Sequence, residues 1–391
     1  MIVSSSLAPR TPLAAWQVAL RESVRDVDEL CRLLELDPAW AEQARTAVQD
    51  FPLFVPRSYM ARMRPGDPTD PLLRQILPLS QEANESHNVP NPGSDPVGAD
   101  LHQQSLGWPG SQQCEAPGTR GIEDSLRSSP ATQVIPHVSD GGLMDPVGDL
   151  AAQRLPGLLQ KYAGRVLLVT TGACAVHCRY CFRRHYPYDT APKTLAAWES
   201  AIDEIAADES ISEVILSGGD PLTLRDSLLA ALADRLAEIP HLRRLRVHTR
   251  LPLMIPERIN DDLLSWLRGT RLAPVMVIHA NHANELAGDA ADAVQRIVAA
   301  GIPTLNQTVL LRGINDDVET LAALSERLLD LGAMPYYLHQ LDRVAGAMHF
   351  EVPLARGLEL VTALRARLPG YAVPRYVQER PGEPSKTILE R

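Results

Sequence analysis

The chain has 391 residues, 45% hydrophobic and 22% charged, with a formal net charge of −10. That is enough for one large domain with an appendage around a real core, and the acidic balance without a long basic run argues against nucleic-acid binding. No apolar run is long enough to cross a membrane, and Met1–Pro12 lacks the basic start and apolar stretch of a secretory signal, so a cytoplasmic location is expected.

Residues 1–80 read as an N-terminal helical segment. Leu13, Trp16, Leu20, Val24, Val27, Leu30 and Leu34 recur at three- and four-residue steps, and Leu36-Asp37-Pro38 ends one helix and starts another. From Gln81 the periodicity dissolves into a stretch rich in Pro, Gly, Ser, Gln and Asn. Asp95-Pro96-Val97-Gly98 recurs as Asp145-Pro146-Val147-Gly148. Residues 81–145 are therefore expected to be a disordered insertion. Six apolar runs then follow: Val166–Thr170, Val214–Ser217, Leu245–His248, Val275–His279, Thr304–Leu310 and Met334–Leu338. Amphipathic stretches such as Leu222–Ile239, Asp289–Ala300 and Val318–Leu331 lie between them. Strand and helix alternating every thirty or so residues means a parallel sheet covered by helices. The expected fold is α/β, a partial (β/α)6 TIM-type barrel over residues 146–353, followed by a C-terminal segment, 354–391. In such barrels chemistry gathers at the C-terminal ends of the strands.

Three of the five cysteines crowd into Cys174-Ala-Val-His-Cys178-Arg-Tyr-Cys181, just after the first strand. Three thiolates at this spacing can wrap one face of an iron–sulfur cluster, leaving one iron open. A zinc site completed by His177 or His185 is the alternative for the same donors. The loop, placed after strand one, resembles that of radical S-adenosylmethionine (SAM) enzymes, in which SAM chelates the open iron. Ser217-Gly218-Gly219-Asp220-Pro221, ending the second strand, resembles their glycine motif, and Asn306-Gln307 matches a further SAM-contacting position. Glycines there let backbone approach a ligand. Lys386 follows a Pro/Gly-rich turn, the kind of segment that can deliver a Schiff-base lysine into a pocket.

Taken together, these motifs resemble the lysine 2,3-aminomutase family from about Pro71 to Lys386, interrupted by the insert. Further landmarks are Lys161-Tyr162, Phe182-Arg183-Arg184, Arg246-Val247-His248-Thr249-Arg250, Leu310 to Asp316, Pro335-Tyr336-Tyr337, Asp342 and His349-Phe350. The resemblance implies a radical SAM, pyridoxal phosphate (PLP)-dependent isomerase that moves the amino group of L-lysine from C2 to C3. It implies a [4Fe-4S] cluster on Cys174, Cys178 and Cys181, and SAM contacts at Gly218, Gly219, Asp220 and Gln307. Lys386 is implied as the catalytic, PLP-bearing lysine, Arg250 as the holder of the PLP phosphate, and Tyr162 and Lys161 as further PLP contacts. Lys161 stands where the family has arginine. Arg183 is implied to pair with the substrate carboxylate, and Asp342 and Glu379 with its ε-ammonium, a buried cation that demands anionic partners.

Two departures narrow the resemblance. Gly382-Glu383-Pro384-Ser385 replaces the family's glycine-rich run before the lysine, and the chain stops five residues after Lys386. It also lacks the extra cysteines of the longer free-lysine enzymes, so no zinc is expected. Both features resemble the subgroup that makes (R)-β-lysine for modification of elongation factor P. Implied partners are L-lysine, an electron donor such as flavodoxin or ferredoxin and the elongation factor P pathway, with a homo-oligomer left open. The rival readings are an aminomutase acting on free lysine or another amino acid, a radical SAM enzyme without PLP, and a zinc-stabilised binding protein.

Overall fold

Ten strands form a single sheet in which every neighbour in space is a neighbour in sequence. The computed structural model describes residues 13–82 and 142–390. They are β1 (Gln153–Leu155), β2 (Leu158–Tyr162), β3 (Arg165–Thr171), β4 (Glu213–Gly218), β5 (Arg244–Thr249), β6 (Ala273–Ile278), β7 (Thr304–Val309), β8 (Met334–His339), β9 (Arg375–Gln378) and β10 (Thr387–Ile388). All steps from β3 to β9 are parallel. The β1–β2–β3 steps at one edge and β9–β10 at the other are antiparallel. The six expected strands are β3 to β8, and helices such as Asp226–Ala237, Asp289–Ala299 and Val318–Asp330 cover them.

The barrel is larger than the sequence reading. Residues 354–391, expected as a separate C-terminal segment, hold the helix Leu354–Arg367 and β9, one more strand–helix unit of the same sheet. The β1–β2 hairpin was not expected either. Its strands are short and partly polar, and neither has the apolar run that marks a buried parallel strand.

The N-terminal segment also differs from expectation. The continuous period from Leu13 to Leu34 folds as two helices, Ala15–Arg21 and Val27–Leu33. Val24 between them pairs with Val55 through N–H···O bonds of 2.8 and 2.9 Å, and Asp26 caps the second helix by accepting from Glu29 N at 2.8 Å. Cap and bridge satisfy backbone groups that a continuous helix would have used internally. The third helix, Pro38–Asp50, starts where expected, with Pro in its first turn and Asp37 as cap. Trp16, Leu30, Tyr59 and Leu72 of this segment share one apolar core with Leu216, Leu245 and Val294 of the barrel.

Of the expected insertion, residues 83–141 lie outside the described residues. Its flanks are built into the barrel: Glu82 is buried, and Leu143 bridges to Val344. Among the described residues no helix is long and apolar enough to cross a membrane.

Candidate active site

Strand side chains alternate between the helical layer and the barrel interior. On β4 and β5, Val214, Leu216, Leu245 and Val247 are buried in the core under the helices. Glu213, Ile215, Ser217, Arg246 and His248 line the interior instead. This interior is a cavity of about 810 Å³, within the range of about 300–1,000 Å³ typical of ligand pockets. Every site residue expected from sequence lines it: the three cysteines, Gly218, Gly219, Asp220, Arg250, Gln307, Lys161, Tyr162, Arg183, Asp342, Glu379 and Lys386.

The cysteines occupy one end. Burial, then the neighbouring Cys181, pushes the Cys174 thiol well above its ordinary range. Burial and Cys178 raise Cys181 to about 11. Three cysteines gathered this closely suit a cationic iron–sulfur core that takes them as thiolates. The glycine turn lies against this loop. Gly219 N donates to Thr171 O and Asp220 N to Ala173 O, both at 2.7 Å. Gly218 has φ +125°, and a Cβ on Gly219 would stand 2.3 Å from Ala173 O, so neither position admits a side chain. Asp220 accepts from Thr249 Oγ1 (2.8 Å), Arg250 N (2.7 Å) and Leu222 N (3.0 Å), tying the turn to the end of β5. Gln307 lines the cavity, whereas Asn306 beside it turns outward to Ala280. His177 and His185 each turn a ring nitrogen to a backbone carbonyl, of Pro52 and Ala345.

The cysteine loop is braced from outside. Arg179, between two of the cysteines, is fully buried and forks onto Glu82 at 2.9 and 3.0 Å, with Phe51 O at 2.7 Å. Arg184 reaches the same carboxylate at 3.1 Å.

Lys386 occupies the other end, at the seam between the sheet's two edges. Glu379, just after β9, accepts from Lys386 Nζ, from Tyr162 Oη at 2.7 Å and from Lys161 Nζ at 3.3 Å, the last two on β2. Burial alone would raise the Glu379 carboxyl, but Lys386 and Lys161 outweigh it and hold the group below its ordinary value. Asp342 differs. Its carboxylate has no hydrogen-bond partner among the described residues, and burial, reinforced by Glu379 against the pull of Lys386, raises it to about 7. Arg183 donates from Nε to Asp149 at 2.6 Å and from Nη1 to Ser217 Oγ at 3.1 Å, leaving Nη2 for another anion. Asp149, which also meets Lys161 at 2.7 Å, is held at about 2 by these two cations despite its burial.

Between the two ends stand His248, His279 and His339, whose Nε2 atoms have no hydrogen-bond partner among the described residues. Burial lowers all three, His279 to about 4, so this middle section is lined by neutral imidazoles.

Arg250 departs from its expected place. It belongs to the cysteine end, where Nη1 lies 2.9 Å from Cys178 Sγ, and Nη2 contacts Gln75 (2.5 Å) and Glu285 (2.6 Å). With Nε on His279 O at 3.2 Å, only one of its five N–H groups is left for a phosphate. Arg165, also in the lining, has no hydrogen-bond partner among the described residues and stacks over the Tyr162 ring at 4.7 Å. Close by, the β7–β8 register slips between Asn306 and Gln307, and the bulge lets the consecutive Tyr336 and Tyr337 both line the cavity, hydroxyls 3.0 Å apart. Arg165, Asp149 and the three histidines were missed from sequence. A period-two reading of each strand's interior face would have found Arg165, His248 and His339.

Three cysteines and a lysine thus line one cavity at the strand ends of the parallel barrel. Residues 168–324 match the Radical SAM superfamily. Closer relatives span nearly the whole chain. An L-lysine 2,3-aminomutase of Haemophilus influenzae is 37% identical, over 95% of each chain. One of Escherichia coli is 39% identical, over 96% of this chain and 94% of its own, and one of Buchnera aphidicola 35%, over 96% and 95%. The chain belongs to the lysine 2,3-aminomutase family, isomerases of the radical SAM class that use a [4Fe-4S] cluster, SAM and PLP.

Proposed function

We propose that this chain converts L-lysine to (R)-β-lysine, and that the product serves modification of elongation factor P. The observation that carries the lysine reading is Asp342, an unpartnered carboxyl beside Glu379 and Lys386 in a cavity whose far end holds the three cysteines. The Glu383-Pro384-Ser385-Lys386 turn supports the elongation factor P subgroup.

Cys174, Cys178 and Cys181 fit the cluster, and the side-chain-free Gly218–Gly219 turn with the Gln307 amide fits SAM beside it. Lys386, Tyr162, Lys161 and Arg165 fit PLP. When bound, cluster and SAM supply a hydrogen-abstracting radical, and PLP supplies the conjugated carbonyl that carries the migrating nitrogen. The chain's own groups do the rest. Lys386 provides the amine that holds PLP. Arg183, oriented by Asp149, offers Nη2 to the substrate carboxylate. Asp342 and Glu379 take the ε-ammonium, which fixes the lysine chain and directs its C3 toward the cysteine end. The neutral imidazoles in between bring no charge to the path between the two ends.

The test is anaerobic reconstitution, analysis for iron and PLP, then reduction with SAM and L-lysine. About four irons per chain, bound PLP and (R)-β-lysine by chiral chromatography are expected, with transfer of the product to elongation factor P by its ligation machinery. A zinc-bound, colourless protein that makes no β-lysine would overturn the reading. An (S) product, or one that the elongation factor pathway refuses, would overturn the subgroup assignment alone.

A further inference from the structure

Arg250 is held more firmly than any other guanidinium in the cavity. Besides Cys178, its acceptors are Gln75 and Glu285, both fully buried, and the backbone of His279. Those acceptors are themselves fixed. Glu285 Oε1 accepts from Asn281 N at 2.8 Å, His282 N at 3.1 Å and Gln75 Nε2 at 3.0 Å, and Gln75 Oε1 accepts from Asn281 Nδ2 at 3.0 Å. The rings of Tyr59 and Tyr180 flank the guanidinium at 5.7 and 5.5 Å. Its own N–H donates to Asp220, so the residue also joins the glycine turn. An arginine fixed by so many groups cannot swing to a ligand elsewhere; it presents one N–H and one positive charge to one sulfur.

We propose that Arg250 is a positioning residue for Cys178 that sets the reduction potential of the cluster this thiolate binds. The inference rests on the cluster assignment above. Adding an electron to the cluster makes it more negative. A fixed N–H donor to a ligating sulfur, with its cationic charge in a buried site, stabilises that extra charge. Glu285 works against it, since its carboxylate offsets the guanidinium charge. The two residues therefore have opposite effects on one observable, which a role in folding alone would not produce.

The experiment is mediator-equilibrated potentiometry of the reconstituted full chain without SAM, followed by electron paramagnetic resonance of the reduced cluster, on wild type, Arg250→Gln, Arg250→Lys and Glu285→Gln. Arg250→Gln is expected to move the midpoint to more negative values at unchanged iron content, with Arg250→Lys between it and wild type. Glu285→Gln is expected to move it to more positive values. Midpoints unchanged in both Arg250→Gln and Glu285→Gln, or moved in the same direction, would overturn the proposal. If Arg250→Gln binds no iron, Glu285→Gln decides by its sign. Failure of the wild type to bind iron would count against the cluster assignment itself.

Discussion

Replacing Asp342 by asparagine removes a charge while keeping size and hydrogen-bonding atoms. Among the described residues this carboxyl has no hydrogen-bond partner, and it is pushed up to about 7, because burial and Glu379 together outweigh the pull of Lys386. Once Lys386 is bonded to PLP that pull weakens, so the free enzyme should titrate at about 7 or above. Truncating one partner of a buried charge pair costs about 2–5 kcal/mol. Glu379 remains as a second acid, which places Asp342→Asn at the lower end, roughly a 30- to 100-fold rise in KM for lysine. The pH dependence carries the same signature. Only the ionised carboxylate pairs with an ammonium, so wild-type kcat/KM should fall about tenfold per unit as the pH drops below this value. In Asp342→Asn that inflection should disappear. Steady-state assays from pH 5.5 to 8.5 under anaerobic conditions read both. A KM within threefold of wild type, or an inflection that survives, would refute the assignment of the ε-ammonium to Asp342.

Lys386→Ala should lose the PLP adduct that borohydride reduction and peptide mass spectrometry locate on this residue in wild type, while iron content stays unchanged. Arg165→Gln should weaken PLP retention by roughly 10- to 100-fold, as expected for one hydrogen-bonded charge to a phosphate, measured by equilibrium dialysis; unchanged retention would return the phosphate to another cation. Glu82→Ala leaves the buried Arg179 and Arg184 without their shared carboxylate. It should cost about 3–5 kcal/mol, read as a lower urea midpoint of the iron-free protein.

The strands β3 to β8 were legible because parallel strands under helices bury both faces and read as apolar runs at regular spacing. The outer strands were not: β1, β9 and β10 have three, four and two residues, too few for any period to emerge. The cysteines and the glycine turn could be read because their chemistry demands residue types at fixed spacing. Lys386, Asp342 and Glu379 could be placed only through family resemblance, since a lone lysine or acid in a turn carries no signal of its own. The direction of the Arg250 side chain was not legible for a related reason. Spacing places its Cα just past β5, but the direction of its side chain is decided by Gln75 and Glu285, 175 and 35 residues away. Asp149 escaped notice because its role depends on Arg183 and Lys161 arriving from two other elements.

The seam brings Lys386 together with Glu379 and Asp342, the lysine and the two acids of the proposed site. The sheet is open, and side chains near β2 and β9, one strand in from each edge, meet, with Glu379 accepting from Tyr162, Lys161 and Lys386. Around that seam the carboxyls of Asp149, Asp342 and Glu379 face the cations of Arg183, Lys161 and Lys386. If Lys386 holds PLP, as proposed, its ammonium no longer pairs with Glu379, which keeps Lys161. A substrate ε-ammonium entering there would meet a Glu379 short of one cation and would favour the ionised form of Asp342. A free amino acid with a second amine supplies that charge; glutamate would add a negative one. On the proposed roles, one carboxylate, Glu379, would serve in turn the enzyme's own ammonium and the substrate's.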